Sequence, residues 1–176
     1  TILCFRKSIR IICLISLFLF MNSFAYSQSH KYKFQFSALD LGSSTYGAAL
    51  QDNEGFIWFA SIGHGLLRYD GFELKKFPKS LKILSGSMVS SIAMDKTGVL
   101  WIATFNNGLT SYNKKTNRFE HYRHDPGNIN SISTDNIPFS PQTLFVDKNN
   151  NLWVGSDNGG LNRFDQDRKT WTRYLH

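Results

Sequence analysis

The sequence has 176 residues, enough for one ordinary domain, and a formal net charge of +7. Setting residues 1–27 aside leaves 17 basic and 13 acidic residues, scattered and without a basic stripe. That distribution argues against nucleic-acid binding, because phosphate recognition needs clustered positive charge.

The first element in chain order is a secretory leader over residues 1–27. Arg6, Lys7 and Arg10 precede the apolar run Ile11 to Phe20, and Ser23-Phe24-Ala25 and Ala25-Tyr26-Ser27 offer small-x-small cleavage sites. The alternative is a retained membrane anchor, but Ile11 to Ala25 is only 15 residues and spanning a bilayer takes about 20. The chain starts with Thr1 instead of Met, so a true start at or before residue 1, in a fragment or an alternative form, is expected. Both cysteines, Cys4 and Cys13, fall in this leader. The mature chain therefore has no disulfide or thiolate metal site and relies on packing.

After a lead-in over 28–45, a repeat runs through the remaining chain, residues 46–176. Asp52, Asp95 and Asp147 each precede a tryptophan by six residues: Trp58, Trp101 and Trp153. Each tryptophan precedes a glycine by seven, at Gly65, Gly108 and Gly160. Leu66, Leu109 and Leu161 follow those glycines directly, and Tyr69, Tyr112 and Phe164 stand four residues after them. The tryptophans are separated by 43 and then 52 residues, so the second interval carries a nine-residue insertion.

Each unit reads as four short strands, in blades of about 46–77, 89–122 and 141–174. In the second unit the strands are Val89–Met94, Val99–Thr104, Leu109–Asn113 and Arg118–Tyr122, separated by Gly-, Asn- and Asp-containing turns. The central strands Phe56-Ile57-Trp58-Phe59-Ala60 and Val99-Leu100-Trp101-Ile102-Ala103 are apolar throughout. A sheet with one wet face would alternate, so both faces must be covered. Radially stacked four-stranded sheets do this, and a β-solenoid or sandwich fits the period and tryptophan content less well. The predicted fold is all-β, a partial β-propeller of three four-stranded antiparallel blades. Three blades cannot close such a ring, so a larger, seven-bladed whole is expected.

The stretch Asp95 to Thr104, with Asn107-Gly108-Leu109 and Tyr112-Asn113, resembles the two-component regulator propeller repeat. Asp147 to Asp165 matches it too, through Leu152-Trp153-Val154-Gly155-Ser156 and Gly159-Gly160-Leu161. The segment His124-Asp125-Pro126-Gly127-Asn128, with Asn130 to Ser133, resembles that family's linker between repeats. Ala60 to Gly65 departs from the pattern. The resemblance covers about 46–174. It implies an extracytoplasmic sensor on the periplasmic face of the inner membrane, followed by further blades, a β-sandwich, a membrane helix and a histidine kinase, hybrid kinase or diguanylate cyclase output. It also implies a receptor homodimer and a glycan-derived or other small ligand.

No catalytic residue and no cofactor is assigned. The histidines of the mature chain are not in a zinc spacing, and no nucleophile elbow or phosphate loop occurs. Asp147-Lys148-Asn149-Asn150-Asn151 superficially opens like a calcium loop, but Leu152 and Asn158 stand where glycine and glutamate are required. A secreted propeller enzyme, a lyase or quinone-dependent dehydrogenase, is the alternative. The ligand-binding candidates are His64, Phe105, Asn106, Asn107, Asp157 and Asn158, on turns that topology gathers at one rim with the insertion 123–141. The opposite rim, with Lys96, Lys114, Lys115, Lys148, Arg168 and Lys169, reads as a solvated edge, and the three tryptophans read as equivalent buried core positions.

Overall fold

The computed structural model describes residues 45–76, 84 and 88–175, all within a compact unit Leu41–His176. The expected leader 1–27 and nearly all of the lead-in lie outside the described residues. Twelve strands form three separate four-stranded sheets, each an antiparallel meander, and no helix occurs among the described residues. Blade 1 holds β1 (Tyr46–Gln51), β2 (Ile57–Ser61), β3 (Gly65–Tyr69) and β4 (Leu74–Lys76). Blade 2 holds β5 (Val89–Met94), β6 (Val99–Thr104), β7 (Leu109–Asn113) and β8 (Arg118–Tyr122). Blade 3 holds β9 (Leu144–Val146), β10 (Leu152–Ser156), β11 (Gly160–Asp165) and β12 (Thr170–Tyr174).

The blades pack face to face, and the repeat explains how. Trp58, Ala60 and Leu66 of blade 1 form one apolar layer with Val89, Ile92, Leu100, Ile102 and Tyr112 of blade 2. The same register of blade 2, Trp101, Ala103 and Leu109, packs on Leu144, Leu152, Val154 and Phe164 of blade 3. The central strand β6 thus serves two layers with alternate side chains, Leu100 and Ile102 toward blade 1 and Trp101 and Ala103 toward blade 3, which is why it has no polar face.

Blade 3 has no blade on its corresponding face. Leu66 and Leu109 are 0% and 1% exposed, whereas Leu161 is 42% and Phe145 is 62%. Trp58 and Trp101 are buried, but Trp153 is only half-buried. The expectation of three equally buried tryptophans is corrected here: the register is shared, but burial depends on the next blade, which Trp153 lacks. A hollow of about 650 Å3 lined by Pro138, Gly155, Leu161 and Tyr174 lies on this side of blade 3.

The conserved register of the repeat glycine has a steric cause in two units. Gly108 and Gly160 have φ of 70° and 66°, and a Cβ there would come within 2.6 Å and 2.3 Å of the Tyr122 and Tyr174 carbonyl oxygens. The outer strand passes too close for any other residue.

Candidate functional site

The aspartate six residues before each tryptophan organises a turn. Asp52 Oδ1 accepts the Glu54 and Phe56 amides at 2.9 and 3.0 Å, while Oδ2 accepts the Trp58 indole at 2.8 Å. Asp95 repeats this with the amides of Thr97 and Val99 and, at 3.1 Å, the indole of Trp101. Asp147 does so with the amides of Asn149 and Asn151 and, at 3.0 Å, the indole of Trp153. The carboxylate satisfies two turn amides and the one polar atom of a core tryptophan, so the spacing of six is a hydrogen-bonding requirement. Asp147 is spent in this way, and its neighbours are turn formers, with Asn150 at φ 67° where units 1 and 2 use Gly55 and Gly98. Hydrogen bonds from Trp153 and Asn151 hold its carboxyl well below the usual 3.8.

The sequence reading missed a second partner of this carboxylate. Lys114, thirteen residues after Trp101, crosses from the β7–β8 turn to place its Nζ 2.6 Å from Asp52 Oδ2 and 3.1 Å from Glu54 Oε1. Gln166, thirteen after Trp153, crosses from the β11–β12 turn to put its Nε2 3.2 Å from Asp95 Oδ2. Each pairing latches one blade to the preceding one. Burial alone would raise the Asp52 carboxyl, but hydrogen bonds from Lys114, Trp58 and the Glu54 amide, with the ammonium charge, hold it below 3.8. Burial alone would lower Lys114, and its bonds to Asp52 and Glu54 instead raise it above 10.5. Lys96 also bonds across the seam, from its amide to Asn150 Oδ1 and from Nζ to the Lys148 carbonyl. The lysine-rich edge is therefore corrected: Lys114 and Lys96 are inter-blade connectors. The signal was the shared offset from tryptophan, hidden because lysine and glutamine perform the same donation.

At the other rim lie the β2–β3, β6–β7 and β10–β11 turns, which carry the six candidate ligand residues. His64 sits half-buried between Gly63 and Gly65, both with positive φ. Phe105 and Asn106 are exposed on the β6–β7 turn, Asn107 is half-buried beside them, and Asp157 and Asn158 are exposed on the β10–β11 turn. Asn106 and Asn158 adopt φ of 54° and 56°, a conformation asparagine tolerates, so both have a backbone role.

The insertion brings Asn107 and Asp157 into one network. The Arg123 guanidinium donates to Asn107 Oδ1 and lies 3.4 Å from Asp135 Oδ2. Asp135 also accepts the His124 amide at 2.7 Å, and its carbonyl accepts the Gly108 amide. Asn136 accepts the Asp157 amide on its carbonyl, and its Nδ2 donates to Asp157 Oδ2 at 3.3 Å. Fully buried Ile132 and Ile137 anchor the segment in the core between blades 2 and 3. Asn162 Oδ1 accepts the Ser133 amide at 2.9 Å, and Arg173 donates to the Asn128 and Ser131 carbonyls. The insertion is a fixed platform beside the turns it was expected to deepen. Among the described residues no group of three or more His, Cys, Asp or Glu is placed to hold a metal ion, and no helix is long and apolar enough to cross a membrane.

Residues 83–106 and 132–158 match the family described as two component regulator propeller. Among curated proteins none matches the sequence. The fold is similar to the extracellular domain assigned to a hybrid two component system of B. thetaiotaomicron, with 26% identity, a TM-score of 0.66, and coverage of 77% of this chain and 19% of that one. A second such domain from B. thetaiotaomicron aligns at 25% identity and TM-score 0.55, covering 76% of this chain and 16% of that one. A catalytically inactive virginiamycin B lyase variant from Staphylococcus aureus, in complex with quinupristin, shares the fold at 15% identity and TM-score 0.54, with 76% of this chain and 42% of that one covered. The chain spans about a fifth or less of the two extracellular domains. Two of its segments are similar to two component regulator propeller repeats, and its β-propeller fold is similar to extracellular domains of hybrid two component systems.

Proposed function

We propose that this chain is a ligand-sensing propeller segment of an exported signalling receptor, and that its ligand side is the rim of β2–β3, β6–β7 and β10–β11 turns with the insertion. The observation that carries the reading is the insertion itself. Nine residues beyond the basic repeat are held by two buried isoleucines and a hydrogen-bond network against Asn107 and Asp157. Rigidly supported loops at one end of a scaffold are where recognition concentrates. The rim offers amides, a carboxylate, an imidazole and the exposed Phe105 ring, a set that pairs with hydroxyls while a ring covers an apolar sugar face. A polyhydroxylated, glycan-derived ligand fits that chemistry. The two extracellular domains support the exported location; in this reading the signalling output lies in other parts of a longer receptor that works as a homodimer. The lyase shares the fold alone and gives no reason to assign catalysis.

The test is a thermal-shift panel of neutral and acidic oligosaccharides. A binder at about one hundred times its dissociation constant should stabilise the chain by roughly 2.7 kcal/mol. Phe105→Ala and Asp157→Ala should abolish the shift with folding intact, and Lys115→Ala should not. A binder whose effect survives both rim changes, or is lost on changing Lys115, would refute the assignment.

A further inference from the structure

At the end opposite that rim, blade 2 departs from its neighbours in one row of cross-strand positions. In blade 1, Trp58 pairs across with Arg68, and Arg68 with Lys75. In blade 3, Trp153 pairs with Arg163, and Arg163 with Thr172. In blade 2, Trp101 pairs with Ser111, and Ser111 with Glu120. The two arginines do the same thing. The Arg68 guanidinium lies 4.4 Å from the Phe56 ring centroid and 5.8 Å from that of Trp58, and Arg163 lies 5.9 Å from that of Trp153. Arg68 Nε is buried there without a hydrogen-bond partner, so ring contact forms part of what holds this cation.

Blade 2 keeps the tryptophan but replaces arginine by a small hydroxyl, and its next position carries a carboxylate. A cleft of about 390 Å3 opens at that point between blades 2 and 3, with Trp101, Ser111, Glu120 and Tyr122 on the blade 2 side and Gln166 and Lys169 on the blade 3 side. We propose that this cleft binds a guanidinium group brought by a ligand, in the place the two neighbouring blades fill with their own arginine.

The charges around the cleft are compatible with such a guest. Asp95 is consumed by Thr97, Val99, Trp101 and Gln166. Glu120 accepts the Tyr122 hydroxyl at 2.9 Å and belongs to none of the three ion pairs among the described residues. Arg118 and Lys169 also line the cleft. Lys169 Nζ lies 5.7 Å from the Phe164 ring centroid, engaged with that ring and not paired with Glu120. The guest therefore meets an indole, a phenol and a carboxylate that is hydrogen-bonded by Tyr122 but outside those ion pairs, with Arg118 and Lys169 as competing cations.

The probe is N-acetyl-arginine amide, followed by the Trp101 indole and the Ser111 and Glu120 amide resonances of the isotope-labelled chain. Saturable shifts confined to these groups are expected. The neutral isostere N-acetyl-citrulline amide should bind at least about tenfold more weakly, the effect of one charge-assisted contact. Ser111→Arg should fill the cleft as Arg68 does and abolish binding with the fold retained. Glu120→Gln should weaken it about tenfold, and Lys169→Ala should strengthen it. An arginine-centred tripeptide binding more tightly than the free amide identifies a peptide as the source of the group, and equal affinity identifies a free small molecule. Absence of a saturable shift, equal binding of the citrulline compound, or unchanged binding by a folded Ser111→Arg chain would overturn the proposal. Should Ser111→Arg fail to fold, the Glu120→Gln affinity decides alone.

Discussion

Removing Asp52 and removing Lys114 should have very different costs, although both break the same 2.6 Å ion pair. Asp52→Ala leaves the Trp58 indole and the Glu54 and Phe56 amides without their acceptor, in a residue that is buried. Each stranded buried donor costs about 1–3 kcal/mol, and the turn amides can recover part of that from water. The Lys114 ammonium keeps Glu54 at 3.1 Å, so it escapes the full penalty of about 3–5 kcal/mol for orphaning a buried charge. The sum of the surviving penalties is about 3 kcal/mol, or roughly 10 °C in melting temperature for a unit of this size. Lys114→Met leaves Asp52 with its indole and two amides and should cost only about 1 kcal/mol. Urea denaturation of the two variants and the double variant, followed by tryptophan fluorescence, measures both. Equal costs, or a loss below about 1 kcal/mol for Asp52→Ala, would mean that the carboxylate does not organise the turn and the indole, and the explanation of the six-residue spacing would fail.

Three further outcomes follow from the same geometry. Trp58→Ala should cost about 3–5 kcal/mol and Trp153→Ala roughly half of that, since only the first is covered by a following blade; equal denaturation midpoints would contradict the uncovered face. Gly108→Ala should destabilise by at least about 2 kcal/mol, because its Cβ meets the Tyr122 carbonyl, whereas Gly55→Ala, with positive φ but open space, should cost about 1 kcal/mol. The stability gap between wild type and Lys114→Met should be flat at intermediate pH and close at both extremes. Asp52 titrates below its usual 3.8, so its contribution is full above that value and lost as pH falls through the depressed one. Lys114 titrates above 10.5, so its contribution is full below that value and lost as pH rises through the raised one. A gap that narrows near neutral pH in matched denaturation curves would rule out this pair as its source.

Strand order, blade count and the places of the repeat residues were legible in the sequence because each rests on a local pattern. Apolar runs bounded by Gly and Asn turns give strands, and fixed spacing gives register. Burial was less legible, because it depends on what stands beyond a blade. Trp153 holds the same repeat position as Trp101 yet is only half-buried. The bonding roles of the lysine-rich edge were hidden for another reason. Lys114 and Gln166 differ in charge, and only their common offset of thirteen from tryptophan marks them as one position. Among the candidate ligand residues, the sequence placed all six on the turns of one rim. It could not separate Asn106 and Asn158, whose left-handed backbone accounts for them, from Asn107 and Asp157, which the insertion draws into a network.

The aspartate also explains how a repeat with so few fixed residues can specify its neighbour. Its first oxygen closes the turn within its own blade, and the second holds the tryptophan that forms the floor of the next interface. The same second oxygen then accepts a donor from the following blade: lysine at Asp52, glutamine at Asp95. One carboxylate therefore couples local turn formation to the docking of the adjacent sheet, so a blade with a misformed turn also loses its hold on its neighbour. Asp147 has the first two bonds, and Asn151 Nδ2 of its own turn supplies the third donor at 2.8 Å. A following blade would bring its donor, at the thirteenth residue after its own tryptophan, to that same oxygen. Asn151→Ala should then destabilise the chain when blade 3 is terminal and matter little once a further repeat is fused after it. Denaturation midpoints of the two forms measure the difference, and an equal loss in both would show that the third donor is a property of the turn and not of the interface.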